Sequence, residues 1–208
     1  MSRDQVIDLR YLTSVTRTNT RLRGLVALGL LRRLETPFFG QSLYCVGAKA
    51  REVVGEAVEP LLGGRNPSPR FIQHALAVTN VRVGLIKRGA TGWRFEQQLW
   101  RTFEYGGRRI EVRPDGLSFT PSGILAVEVD LGHVSPAKFA SKLRAYDAFL
   151  ASGACERLWK CGNFSLLTVT TGKQRLRSLE KLTPRECVYE HVCRSFDDLE
   201  ITAPGTWS

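Results

Sequence analysis

The chain has 208 residues, 43% of them apolar, and a formal net charge of +10, with a pI near 9.8. That length admits one large domain or two small ones, and the apolar share is too high for a disordered chain. No apolar run approaches the ~20 residues that cross a bilayer, and the opening MSRDQVIDLRYL lacks the apolar stretch of a secretory signal. The positive excess fits a polyanionic partner, of which a phosphate backbone is the common intracellular example. The five cysteines (Cys45, Cys155, Cys161, Cys187 and Cys193) are odd in number and scattered, which suits free thiols in a reducing cytoplasm.

In chain order, Asp4 to Leu12 carries Val6, Ile7 and Leu9 among polar residues and predicts a short helix. After a break at Thr13 and Ser14, Leu22, Leu25, Val26, Leu28 and Leu30 recur mostly at three- and four-residue spacing, as on an amphipathic helix. Arg17, Thr18, Asn19, Arg21 and Arg23 crowd its first half, and Gly29 offers a stop. Leu31 to Glu35 and Ser42 to Val46 flank a Pro37-to-Gln41 turn and read as a hairpin. Ala48 to Leu62 then reads as a helix. The order helix, helix, hairpin, helix is that of a winged helix without its first helix. Turn formers from Gly63 to Pro69 mark a boundary, so the expected units are 1–62, 70–183 and a C-terminal extension, 184–208.

Beyond the boundary, Arg70 to Lys87 predicts a long helix with Phe71, Ala75, Val78, Val81 and Leu85 inward. Trp93 to Phe103 fits either a strand or a short helix. Arg109 to Arg113 and Ile124 to Asp130 read as strands separated by a turn at Pro121 to Gly123, the second apolar enough to be central. Ser135 and Pro136 form an N-cap and a first-turn proline, opening a helix that runs to Ser152. Phe164 to Thr170 is a further central strand, and Lys173 to Leu182 a helix. Strands alternating with helices imply a mixed sheet covered by helices. The pattern beyond Pro184 assigns no element.

The constellation that bears chemistry is Arg113-Pro114-Asp115 followed by Glu128-Val129-Asp130. Carboxylates at the ends of adjacent strands converge, and two of them with a carbonyl suit a hard, oxygen-seeking ion such as Mg²⁺ or Mn²⁺. Glu96 is a candidate third carboxylate. Lys138, Lys142 and Tyr146 stand four apart and share one helical face, where a lysine would hold a water or a phosphate. Turn-capping carboxylates beside a solvated basic face produce the same pattern without a reaction. His133 follows closely enough to reach the same pocket, whereas His74 reads as a packed or capping histidine. The five-residue gaps in Cys155–Cys161 and Cys187–Cys193 are wider than structural zinc pairs use.

Pro114-Asp115 with Glu128-x-Asp130 resembles the metal-binding core of the PD-(D/E)xK nuclease superfamily. The resemblance implies Asp115 and Glu128 as metal ligands, with Glu96 assisting. The chain departs from the pattern at Asp130, where that core carries lysine. Some members place the lysine on the following helix, which Lys138 or Lys142 would match. A degenerate fold kept for DNA binding is the other reading. Over most of its length the chain is similar to the replication-relaxation family of plasmid and mobile-element proteins. That similarity runs through Arg21 to Leu34, His74 to Val83, Trp93 to Glu96, Arg113 to Asp115, Glu128 to Gly132, Lys142 to Tyr146 and Leu167 to Thr171. It implies an α+β protein, an N-terminal winged helix followed by a mixed α/β restriction-endonuclease-like domain, and an association with plasmid replication or mobilisation.

In helix-turn-helix proteins the start of the second helix enters the major groove of double-stranded DNA. Here that start comprises Thr16, Arg17, Thr18, Asn19, Arg21 and Arg23. Arginine reads guanine and asparagine reads adenine, while Arg32, Arg33 and Gln41 suit phosphates. Seven arginines against two aspartates between Met1 and Leu34 favour this over an ordinary wet helix face. Phe38 and Phe39 read as a packed hairpin tip before a groove wedge. A winged helix short of one helix exposes apolar surface, which predicts a homodimer or a covering partner protein.

Overall fold

The computed structural model describes residues 1–9, 12–36, 40, 42–56, 68–183 and 188–201. The predicted wing tip with Phe38, Phe39 and Gln41, the far half of the predicted helix 48–62, most of the Gly/Pro boundary and Cys187 lie outside these residues. The chain divides into two compact units between Val83 and Gly84.

In the first unit, helix α1 (Arg3–Asp8) starts with a capping box between Ser2 and Gln5. The Gln5 amide also donates to the Leu76 carbonyl at 2.9 Å and to Asn80 Oδ1 at 2.7 Å. Helix α2 (Val15–Ala27) is capped by the Ser14 hydroxyl and buries only Thr18 and Leu22. Gly29, at φ 72°, ends it in the left-handed conformation that glycine adopts without strain. Strands β1 (Leu31–Leu34) and β2 (Leu43–Val46) pair antiparallel, and helix α3 (Ala50–Val54) follows. Helix α4 (Pro69–Lys87) sets Ile72 and Leu76 against Leu43. Its inward row differs from the expectation: Phe71 and Ala75 are exposed, while Ile72, Leu76, Val81 and Leu85 are buried. The two rows share Val81 and Leu85 and differ by one position at the start of the helix, a shift too small for periodicity alone to resolve.

In the second unit, the stretch 93–103 holds both alternatives: β3 (Thr91–Phe95), a single helical turn α5 (Glu96–Leu99) and β4 (Arg101–Tyr105). β4 pairs with β5 (Arg108–Val112) as a separate hairpin. Between Arg113 and the expected turn at Pro121 to Gly123 lies a strand with no counterpart in the expectation, β6 (Gly116–Thr120), which pairs with β7 (Gly123–Asp130) across that turn. Helices α6 (Pro136–Ala151) and α7 (Ala154–Trp159) lead to β8 (Ser165–Thr170), then α8 (Lys173–Glu180) and β9 (His191–Ser195). α7 and β9 have no counterpart in the sequence expectation. The five-stranded sheet runs β3-β6-β7-β8-β9. β3, β6 and β7 are antiparallel, whereas β7, β8 and β9 are parallel.

Alternation along β7 puts Ala126, Glu128 and Asp130 on one face. That face meets the core built from Phe139, Leu143, Tyr146 and Phe149 of α6. Trp159 packs on Phe149 with ring centroids 4.6 Å apart, and its indole N–H donates to the Leu99 carbonyl at 3.0 Å. The described cysteines are free thiols, with Cys155, Cys161 and Cys193 buried. No helix of the described residues is long and apolar enough to cross a membrane.

A carboxylate–lysine–tyrosine cluster as the candidate functional site

Two carboxylates enter the site from neighbouring strands. Asp115 precedes β6, where its N–H donates to the Val127 carbonyl at 2.9 Å. Its Oδ2 accepts from the Val129 N–H at 2.7 Å, so the side chain extends the β6–β7 ladder and grips the backbone between Glu128 and Asp130. The glycine that follows is required by packing: a Cβ on Gly116 would lie 1.9 Å from the Trp93 ring.

Glu128 projects from β7 towards α6. Lys142 donates to its Oε2 and the Tyr146 hydroxyl to its Oε1. Burial raises the Glu128 carboxyl to about 7; the Lys142 ammonium opposes the rise and the Asp115 carboxylate adds to it. Burial alone would lower the Lys142 ammonium, but Glu128, Asp115 and Glu96 outweigh it, and the lysine titrates above its ordinary range. Burial, then Glu128, pushes the Tyr146 phenol well up. Edge-on contacts with Phe164 at 5.7 Å and Tyr189 at 6.2 Å fix the Tyr146 ring.

The other expected residues are distributed around this cluster. Glu96, at the start of α5, pairs with Arg113 at 2.5 Å, and Arg113 stacks 4.8 Å above the Trp100 ring. Lys138, one turn before Lys142, is exposed, as is His133. Asp130 does not stand in for a lysine: it is buried, and pairs with Arg175 at 2.5 Å. Arg175 also donates to the Val134 carbonyl at 2.6 Å. Among the described residues no group of three or more His, Cys, Asp or Glu side chains is placed to hold a metal ion. Sequence reasoning placed Arg113 in the Arg113-Pro114-Asp115 run without giving it a role, and missed Arg175, which lies 45 positions from its partner with no local signal.

In the first unit Arg17, Arg21 and Arg23 on α2 and Arg32 and Arg33 on β1 are exposed, and Asn19 is half-buried. None of these arginines forms an ion pair with a described residue. Thr18 stands apart from the expected reading face: it is buried and its hydroxyl donates to the Ser14 carbonyl at 2.7 Å.

Fold and site together define an α+β protein whose mixed sheet carries a buried glutamate paired with a half-exposed lysine, beside a second carboxylate. The chain belongs to the replication-relaxation family, whose model matches residues 1–163, a span that takes in α1 to α7 and the whole cluster. No curated protein and no solved structure matches the chain.

Proposed function

We propose that this protein binds double-stranded DNA of a plasmid or other mobile element and carries a nuclease-type phosphoryl-transfer site in its second unit. The observation that carries the reading is Lys142, on the helix after β7, seated on Glu128 beside Asp115. Two acids on adjacent strands with a lysine relocated to the next helix are the parts that a PD-(D/E)xK site uses. Family membership, the net charge of +10 and the exposed arginines of α2 and β1 support DNA as the partner. In this reading the first unit is a winged helix. Arg17, Asn19, Arg21 and Arg23 face the groove, Arg32 and Arg33 contact phosphates, and a second copy or another protein covers the apolar surface left around α2.

Mg²⁺ commonly takes only one or two carboxylates, with waters and phosphate oxygens completing its shell. Asp115 and Glu128 supply that donor set, and would hold Mg²⁺ or Mn²⁺. Such an ion supplies charge neutralisation at the scissile phosphate and a more acidic water. The chain's own residues do the positioning. Tyr146 and the sheet fix the Glu128 carboxylate. Lys142 keeps its proton and orients a water or a phosphate oxygen. Glu96, neutralised by Arg113, adds to the field at Lys142.

One observation favours a second reading, a non-catalytic regulator of transcription or replication on a degenerate nuclease fold. Both Glu128 oxygens are taken up by Lys142 and Tyr146, which makes the cluster internally satisfied. Incubation with supercoiled plasmid and Mg²⁺ or Mn²⁺ separates the two. The nuclease reading expects nicking by the wild type and none by Asp115→Ala. The regulator expects salt-sensitive binding without cleavage. Identical nicking by both proteins would mark a contaminant.

A further inference from the structure

The β4–β5 hairpin stands outside the five-stranded sheet and is inserted between Glu96 and Asp115, two carboxylates of the cluster. Its lower half is anchored. Phe103 and Val112 are buried, the Phe103 ring lies 5.3 Å from that of Phe149, and Ile110 packs on the same core. Phe103 faces Ile110 across the ladder, and the next two rows, Glu104–Arg109 and Tyr105–Arg108, form the tip. Tyr105 is 44% exposed, and Arg108 and Arg109 are exposed too. These rows add little buried apolar area, so the core does not need them.

The tip is equipped for an external polyanion. Neither Arg108 nor Arg109 forms an ion pair with a described residue. Gly106 and Gly107 hold φ values of 58° and 70°, the conformation of a tight two-residue turn. A Cβ on either would meet nothing within 4 Å, so the turn backbone is open to outside contact. Exposed arginines match phosphates, and an exposed tyrosine packs on a sugar or a base. At about 3.3 Å per residue, five-residue strands carry the tip about 15 Å from the hairpin root. That is roughly half a turn of B-DNA.

We propose that the β4–β5 hairpin is a DNA arm. Tyr105, Arg108 and Arg109 contact the same duplex whose phosphate is held at Asp115, Glu128 and Lys142. The arm rests on the DNA reading above and adds a second contact to the one assigned to α2.

Fluorescence anisotropy with the full chain and a labelled random-sequence duplex several turns long tests it, over a series of salt concentrations. Three proteins are compared: wild type, a hairpin variant (Tyr105→Ser, Arg108→Gln, Arg109→Gln) and an α2 variant (Arg17→Gln, Arg21→Gln). The hairpin variant is expected to lose about tenfold in affinity, and its log–log salt slope to fall by about 2, one for each lost phosphate contact. Wild-type affinity and slope in that variant, with the α2 variant weakened, would overturn the arm and leave the DNA reading standing. Absence of wild-type binding at low salt would overturn both. If the triple variant unfolds early, Arg109→Gln alone reads the slope: a fall of about 1 supports the arm, and no change overturns it.

Discussion

Lys142 of α6 and Glu128 of β7 form an ion pair whose carboxylate is buried in the second unit, with the Tyr146 hydroxyl on the second oxygen. A buried pair of this kind adds little net stability, because desolvating both ions offsets their attraction. Removing one partner is costly, because the other charge is then stranded.

The Lys142 side chain is 36% exposed, so solvent screens part of that cost, and Lys142→Met should lower stability by about 1–3 kcal/mol. Tyr146→Phe, which removes one hydrogen bond, should cost about 1–3 kcal/mol. Urea unfolding of the two variants measures both losses. A Lys142→Met protein as stable as the wild type would mean that the pair is solvated and not buried.

The Asp130–Arg175 pair predicts a larger loss for a different reason. It ties the end of β7 to α8 and to the Val134 carbonyl, away from the cluster at Glu128. Arg175→Met should destabilise by about 3–5 kcal/mol and leave DNA affinity unchanged. Weakened DNA binding in a folded Arg175→Met protein would assign that arginine to the interface.

Gly116→Ala tests the support of Asp115 from behind. The Trp93 ring occupies the space a methyl would take, and a ring packed among neighbours yields less readily than a flexible side chain. Overpacking of this kind costs about 1–3 kcal/mol, read as a lowered unfolding midpoint. An unchanged midpoint would show that Trp93 moves freely.

His191 sets an acid limit. Both ring nitrogens sit 2.9 Å from threonine hydroxyls, those of Thr168 and Thr183, and burial lowers the ring from 6.5 to about 4. The unfolded chain therefore binds the proton more readily than the folded one. The stabilisation is complete above 6.5 and is lost as pH falls towards about 4. Because the ring is partly exposed, its contribution is on the order of 1–2 kcal/mol. Stability should drop across that window, and His191→Gln should flatten the drop. An equally steep fall in the variant would assign the acid sensitivity elsewhere.

The helices and central strands were legible because their signals are local. Ser135-Pro136 caps α6, Gly29 stops α2, and the apolar runs of β7 and β8 are central strands. β6 was illegible because its buried Ser118, which donates to the Gly92 carbonyl at 3.1 Å, breaks the apolar pattern between two turn signals. Glu128 and Lys142 were legible through the family motif, since fourteen positions join a strand to the next helix. The Arg175 partner of Asp130 was not, because a pairing across β8 leaves no periodic trace.

A working phosphoryl-transfer site at Asp115, Glu128 and Lys142 is the central claim. Single-turnover nicking of supercoiled plasmid in Mn²⁺, with protein in excess and DNA affinity measured in parallel, tests it most directly. Wild type should nick, whereas Asp115→Asn and Lys142→Gln should slow by at least about a hundredfold at unchanged affinity, the scale of a lost catalytic contact. Equal rates in all three proteins would contradict it, as would losses that merely follow DNA affinity.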